Sequence, residues 1–193
     1  MRRKLGYRMT AYKAKSIAKF KVFGVGLGKT ATHTLSWMLA HLGWRTAHFN
    51  VRPVDYDGFD AITDVPTYLY LMTTDIRYPN SKFVLTTRNV EEWLASFKLW
   101  LKTHQPNDET LKTRIMSYGG QGYDEERLRK LFERHAAFVR WYFGKYGPEK
   151  LLEIDLCDKS TSDFEKWKKL CDFLKVPNPC VSIPVKNAQS YPS

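Results

Sequence analysis

An α/β fold is predicted for this chain: a three-layer α/β/α domain with a central, mostly parallel sheet and a phosphate-binding loop after its first strand. Three observations carry that prediction. Short apolar, β-branched runs alternate with longer segments of helical period. The first apolar run, at residues 21–25, opens directly into glycines and then into a helical pattern. The chain has 193 residues and is 43% hydrophobic, enough for one packed domain.

The elements follow in order. Residues 21–25 read as a buried strand, and residues 24–31 as the loop. Residues 32–42 read as a helix, because Leu35, Met38, Leu39 and Leu42 recur at i, i+3, i+4 and i+7. Gly43 suits its C-terminal cap. Residues 45–49 form a second strand, residues 51–59 a polar connection and residues 61–65 a third strand. Pro66 opens a helix in its first turn, where proline is tolerated, and Tyr78-Pro79-Asn80 ends it. The run Lys82-Phe83-Val84-Leu85-Thr86-Thr87 is a strong strand. Residues 90–102 form a helix with its apolar stripe on Trp93, Leu94, Phe97 and Leu101. Residues 104–123 are polar and contain glycine, which predicts a mobile loop or lid. A long helix at 125–146, a strand at 151–156 and a helix at 162–174 precede a proline-rich tail.

Composition bounds the function. Eight of the 31 Lys and Arg, and none of the 20 acids, lie within residues 1–21. The net charge of +11 is therefore mostly a basic N-terminal arm, and residues 22–193 form the single domain. That distribution weighs against a nucleic-acid partner. No apolar run reaches the ~18 residues of a membrane span. Cys157, Cys171 and Cys180 lack metal-ligand spacing, and their sparse use predicts a reducing, cytoplasmic setting.

The richest stretch is Val22-Phe23-Gly24-Val25-Gly26-Leu27-Gly28-Lys29-Thr30-Ala31-Thr32-His33-Thr34-Leu35. Glycines let backbone approach an anion, and first-turn amides point at it. Lys29 adds a point charge; Thr30, Thr32 and Thr34 add neutral donors. The spacing is neither of the standard nucleotide motifs. The first Walker glycine would fall at Phe23, and the third dinucleotide glycine at Lys29. In a parallel sheet the ligand sits at the carboxyl ends of the strands. Arg88 lies just past such an end, and Ser96 follows about two helical turns later. A guanidinium that forks onto two oxygens, with a hydroxyl beside it, suits a second phosphate.

Together these residues resemble the sulfotransferases that use 3′-phosphoadenosine 5′-phosphosulfate (PAPS). The run from Gly24 to Leu35 is similar to the G-x-G-x-x-R-T-G-T-x-S-L of one branch, and Arg88 with Ser96 matches the family's 3′-phosphate pair. The segment from Tyr78 to Arg88, the closing strand and helix, and Ile183-Pro184-Val185-Lys186-Asn187 also resemble it. The chain departs from the pattern in two places. Ala31 stands at the loop glycine, so the backbone there has to accept a Cβ. The R-K-G run that finishes the 3′-phosphate site is absent, and Lys186 or the basic arm is the substitute.

The resemblance implies a sulfuryl transfer from PAPS to a hydroxyl or amine of a small-molecule or carbohydrate acceptor, leaving 3′-phosphoadenosine 5′-phosphate (PAP). It implies no metal. Gly28, Lys29, Thr30, Ala31, Thr32, His33 and Thr34 would hold the 5′-phosphosulfate; Arg88, Ser96 and Lys186 would hold the 3′-phosphate. Lys29 would stabilise the leaving oxygen. Where cytosolic members carry a His-x-Pro base, this chain has Asp64-Val65-Pro66. Asp64 is the first choice of base and also fits as the N-cap of the following helix; His48 is the second choice. His41, His104 and His135 read as surface or packing residues. Tyr68, Tyr70, Trp100 and Tyr118 would suit a phenolic or a sugar acceptor. Two other classes remain open at this level: a P-loop kinase or NTPase with Asp155 holding magnesium, and a basic nucleic-acid-binding module.

Overall fold

The computed structural model describes residues 19–49, 51–104 and 107–184. Most of the basic arm (residues 1–18) and Lys186 lie outside these described residues.

Five strands form the centre: β1 (Val22–Gly24), β2 (Thr46–His48), β3 (Ala61–Thr63), β4 (Lys82–Thr87) and β5 (Leu151–Asp155). Their order is β2-β3-β1-β4-β5, and every neighbouring pair is parallel. Parallel strands need crossovers, and helices supply them. These are α1 (Thr32–His41), α2 (Leu71–Arg77), α3 (Val90–Thr103), α4 (Asp108–Tyr118), α5 (Glu125–Tyr146) and α6 (Asp163–Leu174).

Strand side chains alternate between two faces, and both faces are covered. On one, Val22, Ala61, Val84 and Ile154 pack against Leu35, Met38 and Leu39 of α1 and Trp167, Leu170 and Leu174 of α6. On the other, Phe23, Ile62, Phe83 and Leu85 pack against Trp93 and Phe97 of α3 and Val139 and Phe143 of α5. The three-layer architecture expected from the alternation of strand and helix is the one observed. Gly43 also takes the expected role past the end of α1, at φ 95°.

Three local expectations need correction. Residues 104–123 are not a loop throughout, because α4 occupies Asp108–Tyr118. Asn107 caps it by accepting from the Thr110 amide at 3.0 Å, and Gly119 ends it in a left-handed conformation at φ 69°. Among its described side chains the buried ones are Arg114, Ser117 and Tyr118, so the inward stripe has helical spacing but is mostly polar. Hydrophobic periodicity is blind to such a stripe. The segment after β3 also differs. Pro66 follows a cis peptide bond and leads a 3₁₀ turn (Thr67–Tyr70) before α2 begins at Leu71. That turn sinks Thr67 and Tyr68 into the interior. The polar connection at 51–59 contains a 3₁₀ helix (Pro53–Gly58) whose Tyr56 packs on Phe23 with ring centroids 5.6 Å apart.

Candidate active site

The loop after β1 is folded by contacts its glycines permit. A Cβ at Gly26 would collide with the Thr86 hydroxyl and carbonyl of β4, so only glycine fits there. Thr30 is turned inward: its hydroxyl donates to the Leu27 carbonyl at 2.6 Å and lies 2.7 Å from the Thr86 hydroxyl. The Thr30 hydroxyl thus pins the loop to β4. Lys29 (φ 73°) and Ala31 (φ 64°) are left-handed, with Thr30 between them at negative φ. Such an alternation is one from which anion-binding concavities are built, although the Thr30 amide itself donates to the Leu27 carbonyl at 3.3 Å. Helix α1 then starts at Thr32 with no side-chain cap and no acid in its first turn. Its positive end thus lacks a side-chain cap, a place where an anion would be favoured. Ala31 therefore keeps a glycine-like conformation despite its Cβ, at a cost of roughly 1–2 kcal/mol.

Three helices hand one side chain each to this loop. Trp93 Nε1 of α3 donates to the Gly28 carbonyl at 2.8 Å. The Tyr118 phenol of α4 sits where a Gly28 Cβ would be. His135 Nε2 of α5 lies 2.7 Å from the Val25 carbonyl. Burial pushes the Tyr118 phenol well up, with Tyr68 and Asp64 adding to the effect. Tyr68 donates to the Ser117 carbonyl, tying the turn after β3 to α4. Sequence reasoning counted Trp93 as core stripe and His135 as packing. The signal available was the buried indole N–H, which needs an acceptor. Of the other aromatics considered, Trp100 carries the Arg114 guanidinium 4.4 Å above its ring, and Tyr70 is half-buried.

Arg88 leaves the end of β4, next to β1 in the sheet. Its Nη1 donates to the Lys29 carbonyl at 3.4 Å and its Nε to Glu92 Oε2 at 3.2 Å. The two halves of the predicted site are thus in contact through backbone. Asn89 caps α3 by accepting from the amides of Glu91 and Glu92, and Ser96 stands half-buried on that helix. Burial pushes the Lys29 ammonium below its ordinary value; Asp64 opposes this and the Arg88 charge adds to it. Thr32 and Thr34 are buried in the first turn of α1, and the His33 ring meets His48 edge-on at 4.9 Å.

Asp64 and His48 come together at the ends of β3 and β2. His48 Nε2 is 3.3 Å from Asp64 Oδ2, and both side chains are largely buried. His48 Nδ1 is 2.9 Å from the Thr63 hydroxyl. Burial lowers the His48 pKa below 6.5 although Asp64 pulls it up, which favours the neutral ring. The capping alternative for Asp64 fails, because the turn that follows has no side-chain cap. Asp64 Oδ1 is instead buried without a hydrogen-bond partner, and a Cβ on Gly28 would lie 3.3 Å from it. Among the described residues, six non-glycines have positive φ, and four of them (Lys29, Ala31, Phe49 and Asp64) lie in or next to this cluster. Strained backbone concentrates where geometry serves function.

Asp155, the acid a magnesium-dependent reading would use, has Oδ1 committed to the amides of Cys157 at 2.7 Å and Asp158 at 3.0 Å. His41 stacks on Trp37 at 5.2 Å, and His104 is exposed beside Trp100. No helix among the described residues is long and apolar enough to cross a membrane.

Comparisons with known proteins bear on the family and the fold. A family model described as "Sulfotransferase domain" matches residues 54–191, well over half of the chain. The match covers Asp64, Arg88 and Ser96 and begins after the glycine loop. Among solved structures, a sulfotransferase from Alicyclobacillus acidocaldarius superposes with a TM-score of 0.57 at 17% identity. The superposition covers 86% of this chain and 85% of that one, so the two share a fold across nearly their whole lengths. No curated protein gives a sequence match.

Proposed function

The chain belongs to the sulfotransferase domain family, and from that premise we propose that it transfers a sulfuryl group from PAPS to a hydroxyl or amine of a small-molecule or carbohydrate acceptor. The single observation that carries the reading is the contact between Arg88 and the Lys29 carbonyl, which joins the glycine loop to the end of β4. PAPS carries anions at two places, its 5′-phosphosulfate and its 3′-phosphate, and supplies the activated sulfuryl group when bound.

The residues fit such a donor. The uncapped start of α1 and the left-handed backbone of Lys29 and Ala31 form an anion cradle closed to side chains at Gly26 and Gly28. Amides of the loop and of Thr32, His33 and Thr34 would hold the 5′ group; the inward Thr30 hydroxyl would keep the loop in shape. Arg88 and Ser96, with Lys186, would hold the 3′-phosphate. The Lys29 ammonium would sit at the leaving oxygen, where charge develops. Asp64 would take the acceptor proton, with His48 as the second candidate for that task. Positioning and charge stabilisation would supply most of the rate. Tyr118 closes over Gly28 and Asp64, so α4 is the segment that would give way to an acceptor. The unpaired cysteines support a reducing, cytoplasmic setting.

Calorimetric titration with PAP and with ATP, each with and without magnesium, tests the reading. Binding of PAP in the absence of magnesium is expected, followed by sulfuryl transfer in an acceptor screen with labelled PAPS. Magnesium-dependent ATP binding with no affinity for PAP would overturn it.

A further inference from the structure

Asp64 and His48 are alternative bases in the sequence, but the sheet makes them partners. β2 and β3 run in parallel register with His48 opposite Thr63, which sets the imidazole beside the residue after Thr63. The ring has a hydroxyl at one nitrogen, Thr63 Oγ1 at 2.9 Å from Nδ1, and a carboxylate at the other, Asp64 Oδ2 at 3.3 Å from Nε2. A carboxylate only accepts, so the proton of a neutral ring belongs on Nε2 and the Thr63 hydroxyl donates to Nδ1. One carboxylate oxygen thus lies beside the ring N–H. The other, Oδ1, is buried without a partner on the side of the Gly28 turn.

We propose that His48 is a positioning residue: its Nε2–H holds Oδ2 of Asp64, so that Oδ1 is the atom that receives the acceptor's proton. The proposal deepens the sulfuryl-transfer reading and rests on it. In the step, the acceptor O–H bond breaks and its proton passes to Oδ1. The electron pair left on the acceptor oxygen forms the new O–S bond. The bond from sulfur to the bridging phosphate oxygen breaks, and its pair leaves on that oxygen beside Lys29. His48 keeps its proton throughout. A cationic His48 would favour the ionised carboxylate and blunt it as a base, so the arrangement works with the ring neutral. Other titratable groups face this pair. Lys29 comes from the loop, His33 from α1 at 4.9 Å between rings, Tyr68 from the turn after β3, and Tyr118 from α4.

The test begins on the ligand-free protein with nitrogen-detected NMR of the His48 ring across pH 5 to 9. The Nε2–H tautomer is expected, with a titration midpoint that moves lower in Asp64→Asn because the carboxylate that raises it is gone. His48→Gln keeps an amide near the Nε2 position, whereas His48→Asn reaches only the Nδ1 position. His48→Asn should lose about 10–100-fold in kcat with PAP affinity unchanged, as for groups that act through another side chain, and His48→Gln should recover most of that loss. An Nδ1–H tautomer would overturn the proposal. So would equal losses in both His48 variants with activity retained in Asp64→Asn, which would make His48 the base itself. A wild type that binds no PAP would instead remove the sulfuryl-transfer reading, while the tautomer result would still stand.

Discussion

Lys29→Met separates catalysis from folding in one substitution. The lysine is half-buried, and burial together with the Arg88 charge depresses its pKa despite Asp64. In sign, a lysine whose folded pKa lies below 10.5 binds its proton less tightly in the folded state than in the unfolded one. Its charge therefore opposes folding at neutral pH, and this penalty vanishes only as pH rises through and above 10.5. Methionine keeps the length and the Cβ at φ 73° while removing the desolvated charge. The melting temperature should be unchanged or higher. Loss of a cation at the leaving oxygen should cost about 10²–10³ in kcat, or ~2.7–4 kcal/mol of transition-state stabilisation. Thermal unfolding and steady-state kinetics with PAPS, run on the same preparation, read both quantities. Activity within ten-fold of wild type, or a clear drop in melting temperature, would refute the reasoning: the first denies Lys29 its chemistry, the second makes it a structural residue.

Other outcomes follow from the same geometry. Gly26→Ala drives a Cβ into Thr86 and breaks up the buried Thr30–Thr86 pair, which should cost about 2–5 kcal/mol and lower the melting temperature by roughly 4–20 °C. Gly144→Ala, with open space around it inside α5, should stabilise by about 0.5–1 kcal/mol and serves as the paired control. Ala31→Gly relieves a left-handed alanine but adds backbone entropy to the unfolded chain, for a net gain of roughly 0.5–1 kcal/mol. A lower melting temperature would show that the loop does not rest in this conformation. Burial holds His48 and His135 below 6.5, so protons bind the unfolded state first as pH falls. Stability should decline as pH drops through 6.5, and His135→Gln, which retains an amide donor for Val25, should flatten that decline in melting scans.

Much of the site was legible because its parts sit at predictable places on local elements. Gly26 through Thr34 join a strand to a helix, and Arg88 follows the clearest strand in the chain. Once the sheet is parallel, both must lie on one edge. What stayed hidden depended on contacts across the sheet. Thr30 reads as a phosphate donor until Thr86, 56 residues away, is placed against it. Helix α4 escaped notice because Arg114 and Ser117 make its buried stripe polar. The roles of Trp93 and His135 as loop clamps needed the packing of α3 and α5 to be known.

The sequence by itself determined the fold class, the glycine loop after the first strand and the residues on the strand edge, because hydrophobic period and glycine placement are local properties of the chain. Tertiary structure decided which of those residues act together. It turned Asp64 away from capping and toward His48, since strand register brings β2 beside β3 regardless of how far apart they lie in sequence. It also placed Arg88 on the Lys29 carbonyl, because β4 pairs directly with β1, on the side opposite β3. Electrostatic character followed the same rule: how burial and neighbouring charge shift Lys29 and His48 exists only once the chain has closed around them.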